Sequence, residues 1–483
     1  MLHAHSLLSG GFNADVRIST SSVASPSPAL VRRSVRERYD VAANRAILLV
    51  VDDLEGPNAE MDSGPESTSV HPGRRLRVLA VGDVVPWPAR DGYRLRFSAS
   101  INALSEIGDV DLFVGARGEE TGVPSPVVQR YEARPAPQMS PSLTMAVRTC
   151  VSRLPSRILW RDWHEARARL RSFVREPYDV VWYSHADAFI GLGHPSFGPA
   201  VVDLDNLEQN VIRTYLAPSK PPIASSAGYR APRPMIRGLV RRMINWHDRI
   251  LWSRLQIRIA RSAMSTLVCS EDDRQRLRHG RIVVVPNGYA DPGPPMEAVV
   301  SAPLLVMVGL FTYEPNLDGV RWFAHEVLPT LRHLVPDITV RLVGRHDERL
   351  LSTVRVPGIT IVGEVDEIGH ELRHARGVII PLLSGSGTRI KALEALAYGM
   401  PMVTTKVGSE GLGVVSDIHA LVRDDPAEFA RACAQILEDD AIVRELRRNG
   451  RKLFVDHYEA GSVAERIKYV ALHATLSAST PPR

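Results

Sequence analysis

The sequence predicts an α/β fold with two parallel sheets in tandem, and two observations carry that prediction. Short apolar runs recur with helical patterns between them, so that strand, loop, helix, strand repeats through both halves of the chain. Between the halves, residues 291–303 hold four prolines and read as an interdomain linker. A chain of 483 residues is long enough for two or three domains with ample cores.

Residues 1–73 are rich in Ser, Pro, Gly and Arg and carry one short apolar stretch, 46–51. They are expected to form a disordered or loosely attached extension. A first domain is expected over 74–290. It opens with a buried strand at 77–81, a wide Pro- and Gly-shaped loop, a helical pattern through Leu104 and a strand at 110–115. That order is Rossmann-like, but no GxGxxG is present, so dinucleotide binding is poorly supported. Further strands are predicted at 180–184, 200–204, 265–269 and 282–285, and the turn Pro286-Asn287-Gly288 ends this half. A second domain is expected over 304–455, with strands at 304–309, 338–343, 359–362, 378–381 and 402–404. Its helix over 316–334 places Val320, Phe323, Val327 and Leu331 on one face. A last helical pattern, 462–472, belongs to a terminal segment, 456–475, expected to pack back on the first domain.

Composition narrows the class. Charged (23%) and hydrophobic (44%) contents are those of a globular protein, and the net charge of +5 is mild and carried mostly by Arg. Cys150, Cys269 and Cys433 lie far apart with no metal spacing and read as buried thiols of a reducing compartment. No apolar run approaches a membrane-spanning length, and no signal peptide is evident, so a cytoplasmic protein is expected.

The most informative segment is 377–405, GVIIPLLSGSGTRIKALEALAYGMPMVTT. A strand runs into a loop with two glycines, Gly385 and Gly387, and then into a helix expected over 388–398. The N-terminus of such a helix offers free N–H groups and a dipole that attract anions. Arg389 and Lys391 oppose that dipole, so their charges point to a bound phosphate or diphosphate. Glu394 lies at the edge of the helix's apolar stripe (Ile390, Leu393, Ala397). It is either an acceptor for sugar or ribose hydroxyls or one half of an internal salt bridge to an Arg.

On these residues the chain resembles retaining glycosyltransferases of the GT-B fold, glycosyltransferase family 4. The resemblance covers about 77–469. It is strongest in VGLFTYEPNLDGVRWF, GITIVGEVDEIGHEL and GSGTRIKALEALAYGMPMVTTKVGSEGL; RVLAVGDVVPWPARDGYRLR, VVDLDNLE, VCSEDDRQRL and VVVPNG match more loosely. It implies two facing Rossmann-like domains, with a nucleotide sugar on the second and the acceptor approaching from the first. It also implies catalysis without a metal. The runs Asp109–Asp111 and Asp203–Asp205 read as strand-end carboxylates. Two departures stand out. Glu394 matches the second of two family glutamates, but Ser386 holds the first position. Phe311-Thr312-Tyr313 replaces a usual Arg and Lys pair. A sub-branch with GGTR-K-LEA in this loop is the nearer likeness.

The resemblance places sugar contacts on backbone groups of Gly385, Ser386, Gly387 and Thr388, and phosphate charge on Arg389 and Lys391. It implies front-face displacement, with a donor phosphate oxygen taking the acceptor proton. His185, after the strand at 180–184, is expected at the cleft against sugar or acceptor. Gly92 would let backbone approach the phosphates, and Arg96 either meets the diphosphate or caps local carboxylates. Val365, between Glu364 and Asp366, would flank the base, and Asn206 and Glu208 would line the acceptor side.

Residues 230–261 hold nine arginines against one acid, Asp248, with Trp246 and Trp252 interleaved. This segment is either a peripheral contact with an anionic membrane carrying a lipid-linked acceptor, or a solvated or docked face. No nucleic-acid module accompanies it. The leading expectation is a hexosyltransferase acting on a glycan or lipid-linked acceptor. A GT-B-like sugar-nucleotide epimerase and a non-catalytic glycan-assembly module are the alternatives.

Overall fold

Seven strands form the first sheet: β1 (Leu76–Gly82), β2 (Gly108–Ala116), β3 (Val128–Pro135), β4 (Val180–Ser184), β5 (Ala200–Leu204), β6 (Ser265–Val268) and β7 (Ile282–Val284). Six form the second: β8 (Leu304–Val308), β9 (Thr339–Val343), β10 (Ile359–Gly363), β11 (Gly377–Ile380), β12 (Met402–Thr404) and β13 (Leu421–Val422). The spatial orders are β3-β2-β1-β4-β5-β6-β7 and β10-β9-β8-β11-β12-β13, and every ladder is parallel. The predicted α/β class is observed. The computed structural model describes residues 74–89, 91–116, 124–139, 148–149, 151–193, 197–209, 212, 235–278, 280–295, 302–354, 356–385 and 389–479. They lie in one unit, Met61–Arg483. The expected extension 1–73, the linker residues 296–301 and part of the basic segment fall outside the described residues.

Each sheet is covered on both faces, which is why its strands read as continuous apolar runs. In the first lobe Leu79, Val81, Val181 and Tyr183 pack into one cluster. Their neighbours Val78, Ala80, Val180 and Trp182 pack into another on the opposite face. The period of two along a strand produces this division. In the second lobe Leu305, Met307 and Ile379 face one cluster, and Leu304, Val306, Val378 and Ile380 the other.

Helix α1 (Gly92–Ile107) is started by Asp91, whose side chain accepts from the Arg94 N–H. It lies close on β1, because a Cβ on Gly82 would strike the Phe97 ring. The helix expected over 316–334 is broken in the middle: α2 (Glu314–Trp322) runs into a π turn, Phe323–Val327, and then Leu328–Leu334. Pro329 lacks the N–H that a regular turn would need there. Helix α3 (Ile390–Ala397) follows β11, and α4 (Asp440–His457) packs beside it. Helix α5 (Ala460–Ser479) inserts Val463, Ile467, Val470, Ala471 and Ala474 into the cluster under β1. No described helix is long and apolar enough to cross a membrane.

Candidate functional site

Strand order reverses once in each sheet, between β1 and β4 and between β8 and β11. Ligands of open α/β sheets bind at the carboxyl ends of strands at such a switch point. The chemistry-bearing residues gather at these two places.

At the second lobe's switch point, Gly309 and Leu310 follow β8, and the loop through Gly385 (φ +137°) follows β11. Lys391 stands in the first turn of α3. Its ammonium donates to Asn316 Oδ1 on α2. Asn316 is 7% exposed, and its Nδ2 donates to the Leu310 carbonyl at 2.7 Å. A Cβ on Gly309 would lie 3.0 Å from Lys391 Nζ, so a side chain there would crowd the amine. Burial, reinforced by Arg389, brings Lys391 down to about 7 against a weaker pull from Glu394.

Glu394 forms no ion pair with an Arg among the described residues. Its carboxylate accepts from the Tyr289 hydroxyl at 2.7 Å. Burial raises its pKa more than Tyr289 and Lys391 lower it. Tyr289 follows β7, so this bond joins the segment between the lobes to the helix of the second. Val365 is half-buried against the cluster that holds Leu393. Beside it Glu364 makes an exposed 3.2 Å pair with Arg345.

Arg389 is 6% exposed and serves its own lobe. Nε donates to the Val407 carbonyl at 2.7 Å, and Nη2 reaches Gly385 O and Glu410 Oε2 at 3.3 Å. Glu410 also meets Arg276 of the first lobe at 3.5 Å. Of the two expected cations, Lys391 is therefore the one with no acid paired to it among the described residues. The expected backbone contacts at Ser386, Gly387 and Thr388 lie outside the described residues.

On the first lobe, Asp83 follows β1, His185 follows β4 and Asp205 follows β5. The His185 ring stacks on Tyr93 with centroids 3.9 Å apart. Its Nδ1 lies 3.6 Å from Asp83 and its Nε2 3.9 Å from Asp205. Tyr93 donates to Asp83 at 3.0 Å. Burial opposes the charge on His185, but Asp205 and Asp83 outweigh it and raise the imidazole to about 9. Asp205 is held down to about 2: burial opposes this, but His185, Arg96 and Asn287 prevail. Asp83 and Asp205 thus bias the His185 imidazole toward its charged form. Gly92 opens α1 toward the second lobe; a Cβ there would come within 3.6 Å of Ile390 Cγ1, so the first turns of α1 and α3 meet.

Arg96 and Glu208 both meet internal partners. Arg96 belongs to the first lobe's own wiring: it pairs with Asp203 at 2.7 Å and donates to Val285 O and Asn287 Oδ1 at 2.9 and 2.8 Å. Four of its five N–H donors are used internally, which favours the carboxylate-capping alternative. Glu208 is likewise engaged, at 2.6 Å from Arg157, while the Asn206 carbonyl accepts from Gln256. Among the described residues Asp83, His185 and Asp187 are close enough to share a cation. Arg157 holds Asp187 in a charged pair at 2.5 Å, so this carboxylate already has its counter-ion.

Asp83, Tyr93, Tyr289, Gly309 and Asn316 were not singled out from sequence. Asp83 and Gly309 carried a usable signal, each directly following a strand at its sheet's switch point.

Known proteins resemble this chain in sequence and fold. One is an uncharacterized 44.6 kDa protein in the cps region of Klebsiella pneumoniae, 23% identical over 172 residues. The match covers 34% of this chain and 44% of that protein, so the chain spans under half of the relative's length. Sucrose-phosphate synthase from Thermosynechococcus elongatus superposes with a TM-score of 0.58 at 19% identity, over 84% of this chain and 100% of that one. Anabaena HepE, in a complex with UDP, superposes with a TM-score of 0.53 at 13% identity, over 83% and 100%. Residues 302–439, which hold Asn316, Lys391 and Glu394, match the family described as Glycosyl transferases group 1, and the two parallel-sheet lobes form a GT-B fold.

Proposed function

We propose that the chain moves a hexosyl group from a nucleotide-diphosphate sugar to a glycan or lipid-linked acceptor, with retention of anomeric configuration. The observation that carries this reading is Lys391. It is a half-buried lysine in the first turn of a helix at the second lobe's switch point, and its partner is the neutral Asn316. A cation placed there without a carboxylate suits an anion. Breaking the anomeric C–O bond leaves a diphosphate of growing negative charge, and stabilising that charge is the largest expected contribution to rate. Arg389 shapes the loop that meets the phosphates, Glu394 exchanges the Tyr289 hydroxyl for sugar or ribose hydroxyls, and Val365 flanks the base. Gly92 and the His185 imidazolium face the donor from the first lobe. Retention through front-face displacement is supported by the loop resemblance, and a nucleotide donor by the family match over 302–439. No step calls on a metal.

The acceptor side is proposed to rest on an anionic membrane surface of the cytoplasm. On the helix Met235–Ser262, Met243 and Trp246 are 61% and 59% exposed, and Arg242 and Arg249 are exposed at four- and three-residue spacing from Trp246. Residues 230–234 of the expected segment lie outside the described residues.

The test measures free nucleoside diphosphate released from a nucleotide sugar with and without acceptor glycan. Transfer predicts acceptor-dependent release. A new sugar nucleotide without release would make the chain an epimerase, and binding with neither would make it an assembly module.

A further inference from the structure

We infer that Asn316 is the positioning residue of the diphosphate subsite: its side-chain oxygen, aimed by the Leu310 carbonyl, holds the Lys391 amine at the switch point while leaving that amine's charge for the ligand. The inference rests on the donor-binding reading above and adds a residue and a device to it.

The Leu310 carbonyl can only accept, so the Asn316 NH₂ must face it, at 2.7 Å. That fixes the amide, and Oδ1 then points to Lys391 Nζ. The bond ties the element after β8 to the helix after β11, the two strands that flank the switch point. Gly309 leaves the room in which the amine sits. Asn316 is itself held by its backbone N–H on the Tyr313 carbonyl, at 3.0 Å.

The neutrality of the partner is the point. An aspartate of the same shape would pair with the amine and compete with a diphosphate for it. Other charged groups around the amine do not take that role. Arg389 and Glu394 share its helix. Arg389 leans on Glu410 and also feels Tyr313, and Glu394 is bonded to Tyr289. Ser386, Gly387 and Thr388 carry no ionisable side chain. Residue choice points the same way: the chain has five lysines among 59 basic residues, and one of them stands half-buried here. A lysine can lose its proton in a buried site, whereas an arginine cannot. Burial brings this amine near neutrality, so a bound diphosphate would draw a proton onto it.

The experiment labels amines of the full chain with a small acylating reagent between pH 6 and 10 and quantifies the Lys391 peptide by mass spectrometry. In the wild type the labelling midpoint should lie near neutrality, and inorganic diphosphate should protect Lys391. Asn316→Asp, nearly isosteric, should move the midpoint up by a pH unit or more and weaken protection about tenfold at an unchanged melting temperature. Asn316→Ala should weaken protection without raising the midpoint, which covers the case in which the aspartate variant fails to fold. A midpoint that stays put in Asn316→Asp would overturn the role given to Asn316. A midpoint that moves while diphosphate protects no form of the protein would instead overturn the donor-binding reading.

Discussion

His185 holds a backbone conformation, φ 75° and ψ 148°, that normally belongs to glycine and costs another residue about 1–3 kcal/mol. The carboxylates of Asp83 and Asp205 offset that cost by favouring the imidazolium. Because the folded pKa is about 9 and the ordinary value 6.5, this stabilisation is complete below pH 6.5 and is lost as pH rises through 9. Lys391 has the opposite sign. Its folded pKa of about 7 lies below the ordinary 10.5, so its contribution is complete above pH 10.5 and is lost as pH falls through 7. Between pH 7 and 9 the two slopes oppose each other, at about 1.4 kcal/mol per pH unit each. His185→Gln should therefore gain stability from pH 7 to 9 relative to wild type, and Lys391→Met should lose it. Melting curves across that range check both, and parallel curves for the three proteins would refute the assignment. Glu394 was legible from sequence because helical periodicity put a charge at the edge of an apolar stripe, and Lys391 because a cation in a helix's first turn opposes the dipole. For Arg96 both alternatives stayed open, because its partner Asp203 lies 107 residues away and only the folded sheet brings them together.

Elements with both faces covered were the easiest to read. The strands at 180–184, 200–204 and 402–404 appear with the predicted bounds, since an unbroken apolar run has few other places to go. Strand β3 (VQRYEARP) was missed because it is an edge whose half-buried arginines and glutamate look like loop. Strand β13 is two residues long, too short for any period. The approach of α2 to β11 is what delivers Asn316, and it depends on Gly319, where a Cβ would stand 2.6 Å from the Pro381 carbonyl. Gly319→Ala should push α2 outward at a cost of about 1–3 kcal/mol. Besides a lower melting temperature, it should raise the Lys391 labelling midpoint away from neutrality as the amine gains water. A melting temperature and midpoint both equal to wild type would show that α2 is not seated by this contact.

At the scale of the whole molecule, two sheets with the same strand order place their switch points together, and the first turns of α1 and α3 meet there through Gly92 and Ile390. The lobes are further joined by the Tyr289–Glu394 hydrogen bond and the Arg276–Glu410 pair. The first lobe brings an imidazole biased toward its charged form and the second an amine with no acid partner among the described residues, a division of labour that suits a donor held on one lobe and approached from the other. The most direct measurement is a melting series with UDP, GDP and ADP on the wild type and on Lys391→Met. Ligand about 100-fold above its dissociation constant adds about 2.7 kcal/mol to the folded state. One diphosphate should raise the wild-type melting temperature clearly and the variant's far less. An equal rise in both proteins, or no rise with any of the three, would contradict a diphosphate held by Lys391.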